Sequence, residues 1–220
     1  MRILNQQKVC TGREKMNYQK ELDQIVLGIV QDKTRLKLLL HSCCAPCSSY
    51  VLEYLSNYFE ITLFYFNPNI YPEEEYTKRV EEQQELIKRM TLQQQVHFLQ
   101  GGYHPDEFYQ TVKGMEEEAE GGIRCFACYE QRLRETAKLA AKNGFDYFTT
   151  TLSISPYKNA DKLNEIGERV AKEYGSTFLP SDFKKRNGYK RSIELSKEYN
   201  LYRQDYCGCV FSKRDRDLAT

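Results

Sequence analysis

Seven of the eight cysteines in this 220-residue chain fall into three tight groups: Cys43, Cys44 and Cys47; Cys125 and Cys128; Cys207 and Cys209. Thiolates prefer soft or borderline ions, so several such groups in one chain point to metal binding. A closed zinc site takes four ligands and leaves three thiols over, whereas a four-iron cluster takes four cysteines and three more can hold another metal beside it. Spacing alone does not separate zinc from iron–sulfur, although adjacent Cys43 and Cys44 are unusual for a small zinc finger. A third reading is a dithiol relay in which Cys207 and Cys209, or Cys44 and Cys47, exchange electrons as disulfides. Cys10 stands apart in a stretch without periodicity and reads as a bystander.

The elements that must carry these thiols follow from the apolar pattern. Leu36 to Leu40, interrupted only by Lys37, predicts a buried parallel strand, and Pro46 suits the start of a helix. Cys43 and Cys44 then fall in the strand-to-helix loop, which lines the ligand crevice in open α/β sheets. Further strands are expected at 60–66, 96–99, 146–151 and 176–179. Helices are expected at 21–30, 48–58, 73–90, 108–120, 129–143, 159–174 and 191–199. Cys125 and Cys128 precede the 129–143 helix, where the helix dipole favours thiolate. This alternation predicts an α/β fold with a mostly parallel five-stranded sheet and helices on both faces. We read residues 1–19 as an extension and 20–181 as the α/β metal-binding domain. Residues 182–220 read as a small basic and aromatic lobe, containing Cys207 and Cys209, that completes the same site.

Composition is that of one soluble globule, with 40% hydrophobic and 29% charged residues. No apolar run is long enough to cross a bilayer and the N-terminus lacks a secretion signal, so a cytoplasmic protein with reduced thiols is expected. A net charge of +1 does not demand nucleic acid. The local cluster Lys184, Lys185, Arg186, Lys190 and Arg191, interleaved with Phe183 and Tyr189, is ordinarily a solvated face but could track a phosphate backbone. His41 reads as a hydrogen-bonded core histidine, and His97 and His104 as structural. The first strand-to-helix loop carries thiols where phosphate-binding loops need glycines, which argues against nucleotide hydrolysis or adenylation.

Taken in order, His41-Ser-Cys-Cys-Ala-Pro-Cys47, Cys125-Phe-Ala-Cys128, Ser153-Ile-Ser-Pro-Tyr-Lys-Asn159, Asp182-Phe-Lys-Lys, Gly188-Tyr-Lys-Arg-Ser192 and Tyr202-Arg-Gln-Asp-Tyr-Cys-Gly-Cys209 closely resemble the QueH family of epoxyqueuosine reductases. The likeness runs from about Leu36 to Ser212. It implies a sheet related to the adenine-nucleotide α-hydrolase (HUP) class, and a cobalamin-independent enzyme that reduces epoxyqueuosine to queuosine at the wobble position of transfer RNA. It implies a 4Fe–4S cluster on Cys43, Cys44, Cys125 and Cys128, and a further iron on Cys207 and Cys209 with Cys47 as a third ligand.

An external electron donor is implied as well. Asp205, Tyr206, Tyr157 and Lys158 are candidate proton donors by sequence proximity. Tyr157, Lys158, Lys184, Lys185, Tyr189, Arg191 and Arg203 are the expected substrate contacts, by stacking and by charge. Two competing readings are a cluster-dependent transfer RNA thiolation enzyme and a non-catalytic, zinc-stabilised RNA-binding module.

Overall fold

A computed structural model describes residues 16–219; Cys10 and most of the 1–19 extension lie outside the described residues. The core is a parallel sheet of β1 (Leu36–His41), β2 (Phe59–Tyr65), β3 (His97–Gln100) and β4 (Tyr147–Thr150) in the order β3-β2-β1-β4. Leu38 pairs with Ile61 on one side and Tyr147 on the other. Successive β1 side chains face opposite ways, as strand geometry requires. Leu38 and Leu40 pack with residues of α1 (Tyr18–Asp32), α2 (Ala45–Leu55) and α3 (Glu73–Arg89), whereas Leu39 packs with α5 (Ile123–Asn143) and α6 (Ala160–Tyr174). Helices therefore cover both faces.

The chain order reverses between β1 and β4, which makes the carboxyl ends of those two strands the switch point where open sheets form a crevice. A 3₁₀ turn over Thr151–Ile154 follows β4 directly. Local chemistry sets the element ends: Asn159 caps α6 by accepting from the Lys162 N–H, and Gly144 ends α5 at φ 65°.

Three expectations are corrected. The sheet has four strands rather than five: Phe178 makes only an isolated parallel bridge to Phe148. Phe148 makes both ladder bonds, to the Thr177 carbonyl and from the Leu179 N–H, but the next donor on that edge, the Ser181 N–H, goes to Asn164 Oδ1 at 2.8 Å, and the Thr149 hydroxyl donates to the Leu179 carbonyl at 2.8 Å. The helix expected over 108–120 is α4 (Pro105–Thr111), because the chain turns at Gly114 with φ 80°. Beyond α7 (Gly188–Glu198) a second C-terminal helix, α8 (Val210–Ala219), was not foreseen. The C-terminal segment lies along α2 and α3, held by Arg191 to Glu53, by Arg89 to the Tyr199 carbonyl, and by the Tyr202 N–H to Glu82.

Candidate metal centre

The first thiols are held by a loop whose backbone is tied on every side. Ser42 N–H donates to the Phe64 carbonyl at 2.9 Å, and the Ser42 carbonyl accepts from Asn67 Nδ2 at 2.8 Å. The hydroxyls of Ser42 and Ser48 both donate to Gln83 Oε1, at 2.8 and 2.9 Å, joining loop and helix start to α3. Beneath the loop, His41 is fully buried, with Nδ1 2.9 Å from the Thr150 hydroxyl and Nε2 3.1 Å from the Phe66 carbonyl. It is a structural residue. Cys44 occupies the position just before α2, and the sulfurs of Cys43, Cys44 and Cys47 all lie within 4.8 Å of one another.

The second pair sits one turn apart in the first two turns of α5, rather than ahead of that helix. The Gly121 N–H donates to Cys125 Sγ at 3.2 Å, and Arg132 Nη2 to Cys128 Sγ at 3.3 Å. The third pair is carried on a bend at Gly208, whose carbonyl accepts from the Tyr71 N–H at 2.8 Å. Cys207 and Cys209 bring their sulfurs to 3.4 Å, and the Ser212 N–H donates to Cys209 Sγ at 3.4 Å. Phe108, Cys128 and Cys209 form one buried cluster, with Cys207 packed against it, so the C-terminal pair closes over α5.

All seven of these cysteines are free thiols, and all line one cleft of about 690 Å³. Hydrogen bonds from the Cys44 and Cys47 thiols hold Cys43 well below the usual thiol range, while Cys44 is pushed up to about 12 chiefly by its bond to Cys43. The Cys209 thiol, with help from the Lys158 ammonium, brings Cys207 down to about 5, and Cys209 is raised in turn. The donor set is therefore soft and clustered, which fits a metal held by thiolates.

The cleft also gathers Tyr157, Lys158, Tyr189, Arg203, Asp205 and Tyr206. Asp205 is 67% exposed and paired with Arg216 at 2.7 Å; that hydrogen bond lowers its pKa and keeps it ionised, which leaves it poorly suited to donate a proton. Burial pushes Tyr206 up to about 12, and its hydroxyl donates to the Tyr71 carbonyl. Lys184, Lys185 and Arg191 lie outside the cleft. Lys184 pairs with Asp182 and lines a separate recess with Lys185, while Arg191 is engaged by Glu53 at 2.6 Å.

Sequence reasoning missed a set of buried polar atoms. Asn69 Oδ1, Tyr129 OH, Gln204 Oε1 and two nitrogens of Arg124 have no hydrogen-bond partner among the described residues, and all four side chains line the cleft. Unsatisfied buried groups are rare in folded proteins, so their concentration along this cleft leaves it with donors and acceptors open to whatever occupies it. Glu120 was missed too: it accepts from Lys158 at 3.1 Å and from the Ser212 hydroxyl at 2.9 Å. Its only sequence signal was a run of glutamates that reads as a solvated helix.

No helix among the described residues is long and apolar enough to cross a membrane. The family model described as "Epoxyqueuosine reductase QueH" matches residues 38–215. Proteins of that name from Streptococcus pyogenes serotype M1 and Staphylococcus epidermidis are 44% and 45% identical over 203 residues, covering 91% and 90% of this chain and 80% and 85% of their own. The Thermotoga maritima protein of the same name is 37% identical over 185 residues, covering 81% of this chain and 91% of its own. With the family model spanning most of the chain and its thiol groups gathered at one cleft, this chain belongs to the epoxyqueuosine reductase QueH family.

Proposed function

We propose that the protein is a cytoplasmic oxidoreductase that reduces the epoxide of epoxyqueuosine, carried at the wobble position of a transfer RNA, to the cyclopentene of queuosine. Two electrons and two protons are consumed, both C–O bonds of the epoxide break, and the oxygen leaves as water. Cys43, Cys44, Cys125 and Cys128 would hold a 4Fe–4S cluster, and Cys207, Cys209 and Cys47 a second iron. When bound, these groups supply electrons one at a time, fed by an external donor, and a Lewis acid for the epoxide oxygen. We also read the sheet as HUP-like, since its order places the crevice at the switch point used by doubly wound folds.

The chain's own side chains then have separable tasks. The Lys158 ammonium is a fixed positive donor in the cleft wall. Phe108, Leu152 and Ile154 give the cleft apolar wall and limit water around the reacting carbons. Tyr157, 78% exposed at the mouth, and Tyr189 offer ring faces on which anticodon bases can stack, with Arg203 as a cationic contact.

The observation that carries this reading is the convergence of all seven described cysteines on one cleft in a chain of this family. Its test is anaerobic purification with iron and sulfide quantification, then incubation of reduced protein with epoxyqueuosine-containing transfer RNA and mass analysis of the nucleosides. Iron-dependent loss of one oxygen is the expected result. Zinc without sulfide would return the chain to a binding module, and a mass gain of sulfur would make it a thiolation enzyme.

A further inference from the structure

Arg132 is 4% exposed, and among the described residues no carboxylate pairs with its guanidinium. Its Nε donates to the Cys128 carbonyl at 3.1 Å, its Nη2 reaches Cys128 Sγ at 3.3 Å, and its Nη1 reaches Asn67 Oδ1 at 3.4 Å. Asn67, fully buried, uses its amide to hold the Ser42 carbonyl at 2.8 Å, one residue before Cys43. A continuous buried path thus links the α5 thiols to the β1–α2 loop thiols, two groups that no backbone hydrogen bond joins directly among those described.

Removing a guanidinium from water costs several kcal/mol unless negative charge faces it. Arg79 and Arg124, also buried, each have a carboxylate: Glu75 at 2.6 Å and Asp215 at 4.0 Å. Arg132 instead faces the carbonyl and the sulfur of Cys128 and the side-chain oxygen of Asn67, so the negative charge that would balance it is that of the thiolates once they hold a metal.

We propose that Arg132 is a positioning residue of the metal centre: braced by Asn67, it fixes Cys128 relative to Cys43 and Cys44, and its charge raises the reduction potential of the cluster they hold. The inference rests on the cluster reading above. An added electron increases the negative charge on the sulfurs, and a cation hydrogen-bonded to one of them stabilises that reduced state. Lysine could supply the charge but not the planar fork that reaches sulfur and amide together.

The test uses the full chain purified anaerobically, with potentiometric titration followed by electron paramagnetic resonance and with iron release to a chelator. Arg132→Gln is expected to shift the one-electron equilibrium at least tenfold against reduction, ~59 mV lower. Arg132→Lys is expected to recover more than half of that shift yet release iron several-fold faster than wild type. Asn67→Ala should keep the potential near wild type and also release iron several-fold faster. A wild-type potential in Arg132→Gln overturns the charge role, and wild-type iron retention in Asn67→Ala overturns the brace. Should Arg132→Gln fail to fold, Arg132→Lys decides: faster iron release at near-wild-type potential supports the proposal, and unchanged release overturns it. Wild-type protein purified without iron and sulfide would strike the cluster reading itself, a failure distinct from any of these.

Discussion

Lys158 Nζ lies 3.1 Å from Glu120 Oε1 in the wall of the cleft, and the other oxygen of Glu120 accepts from Ser212, whose hydroxyl accepts from the Cys207 N–H at 3.2 Å. Burial alone would lower the Lys158 pKa, but the Cys207 thiolate, Tyr129 and Glu120 outweigh it and raise it. An ammonium that holds its proton this firmly is a weak acid and a good fixed charge. Lys158→Met is therefore expected to lower kcat by about 10²–10³-fold, the loss typical of one transition-state donor, with iron content and transfer RNA affinity retained. Single-turnover assays on anaerobic protein measure this, and a wild-type rate would remove Lys158 from the reaction.

Gly208, between the two C-terminal cysteines, has φ 115°, where a side chain is strained, and an added Cβ would meet Arg79 Nη1 at 3.0 Å and Ile70 Cγ1 at 3.1 Å. Alanine there costs about 1–2 kcal/mol in backbone strain, which the flanking residues relieve by moving. If the displaced thiols serve the proposed second iron and not the cluster, Gly208→Ala is expected to lower bound iron while bound sulfide stays constant. Parallel loss of both would assign the bend to folding alone.

Much of this centre was readable in order along the chain, for a physical reason. Leu36 to His41 is a nearly continuous apolar run, and Pro46 cannot extend a strand, so the loop at Cys43 had one place to be. What stayed hidden were pairings between distant residues. Arg132 sits in a helix rich in charge and reads as solvated, and its partner Asn67 is 65 positions away. The run ending at Glu120 has helical composition, yet Gly114 breaks it and turns Glu120 toward Lys158. Strand 176–179 satisfied every local rule and still failed to extend the sheet, because the Ser181 N–H that would continue the ladder is taken by Asn164, a partner on a different helix.

Outside the cleft, Lys184 and Arg191 are already paired with Asp182 and Glu53, at 2.7 and 2.6 Å, whereas no ion pair at Lys185 is seen among the described residues. If these residues follow the phosphate backbone, Lys185 should carry more of the contact. Lys185→Ala is expected to reduce the slope of log affinity against log salt by about 1, as one lost phosphate contact would, and Arg191→Ala by less. Fluorescence anisotropy with transfer RNA across a salt series measures both slopes. Equal, unchanged slopes would leave this face without a role in binding.

Asn69 is 4% exposed, lines the cleft, and keeps Oδ1 buried without a hydrogen-bond partner. An unsatisfied buried acceptor destabilises a fold by about 1–3 kcal/mol, so removing it should help stability unless a bound ligand uses it. Substrate hydroxyls are the natural donors, and their loss should be felt when substrate binds. Asn69→Ala is thus expected to raise the thermal midpoint of the metal-loaded protein slightly while lowering kcat/KM about 10–100-fold, the discrimination that one substrate-facing polar group commonly provides. Opposite signs in the two measurements are the outcome specific to a substrate contact. Loss of both stability and turnover would mean that Asn69 is a packing residue whose carbonyl merely lacks a partner.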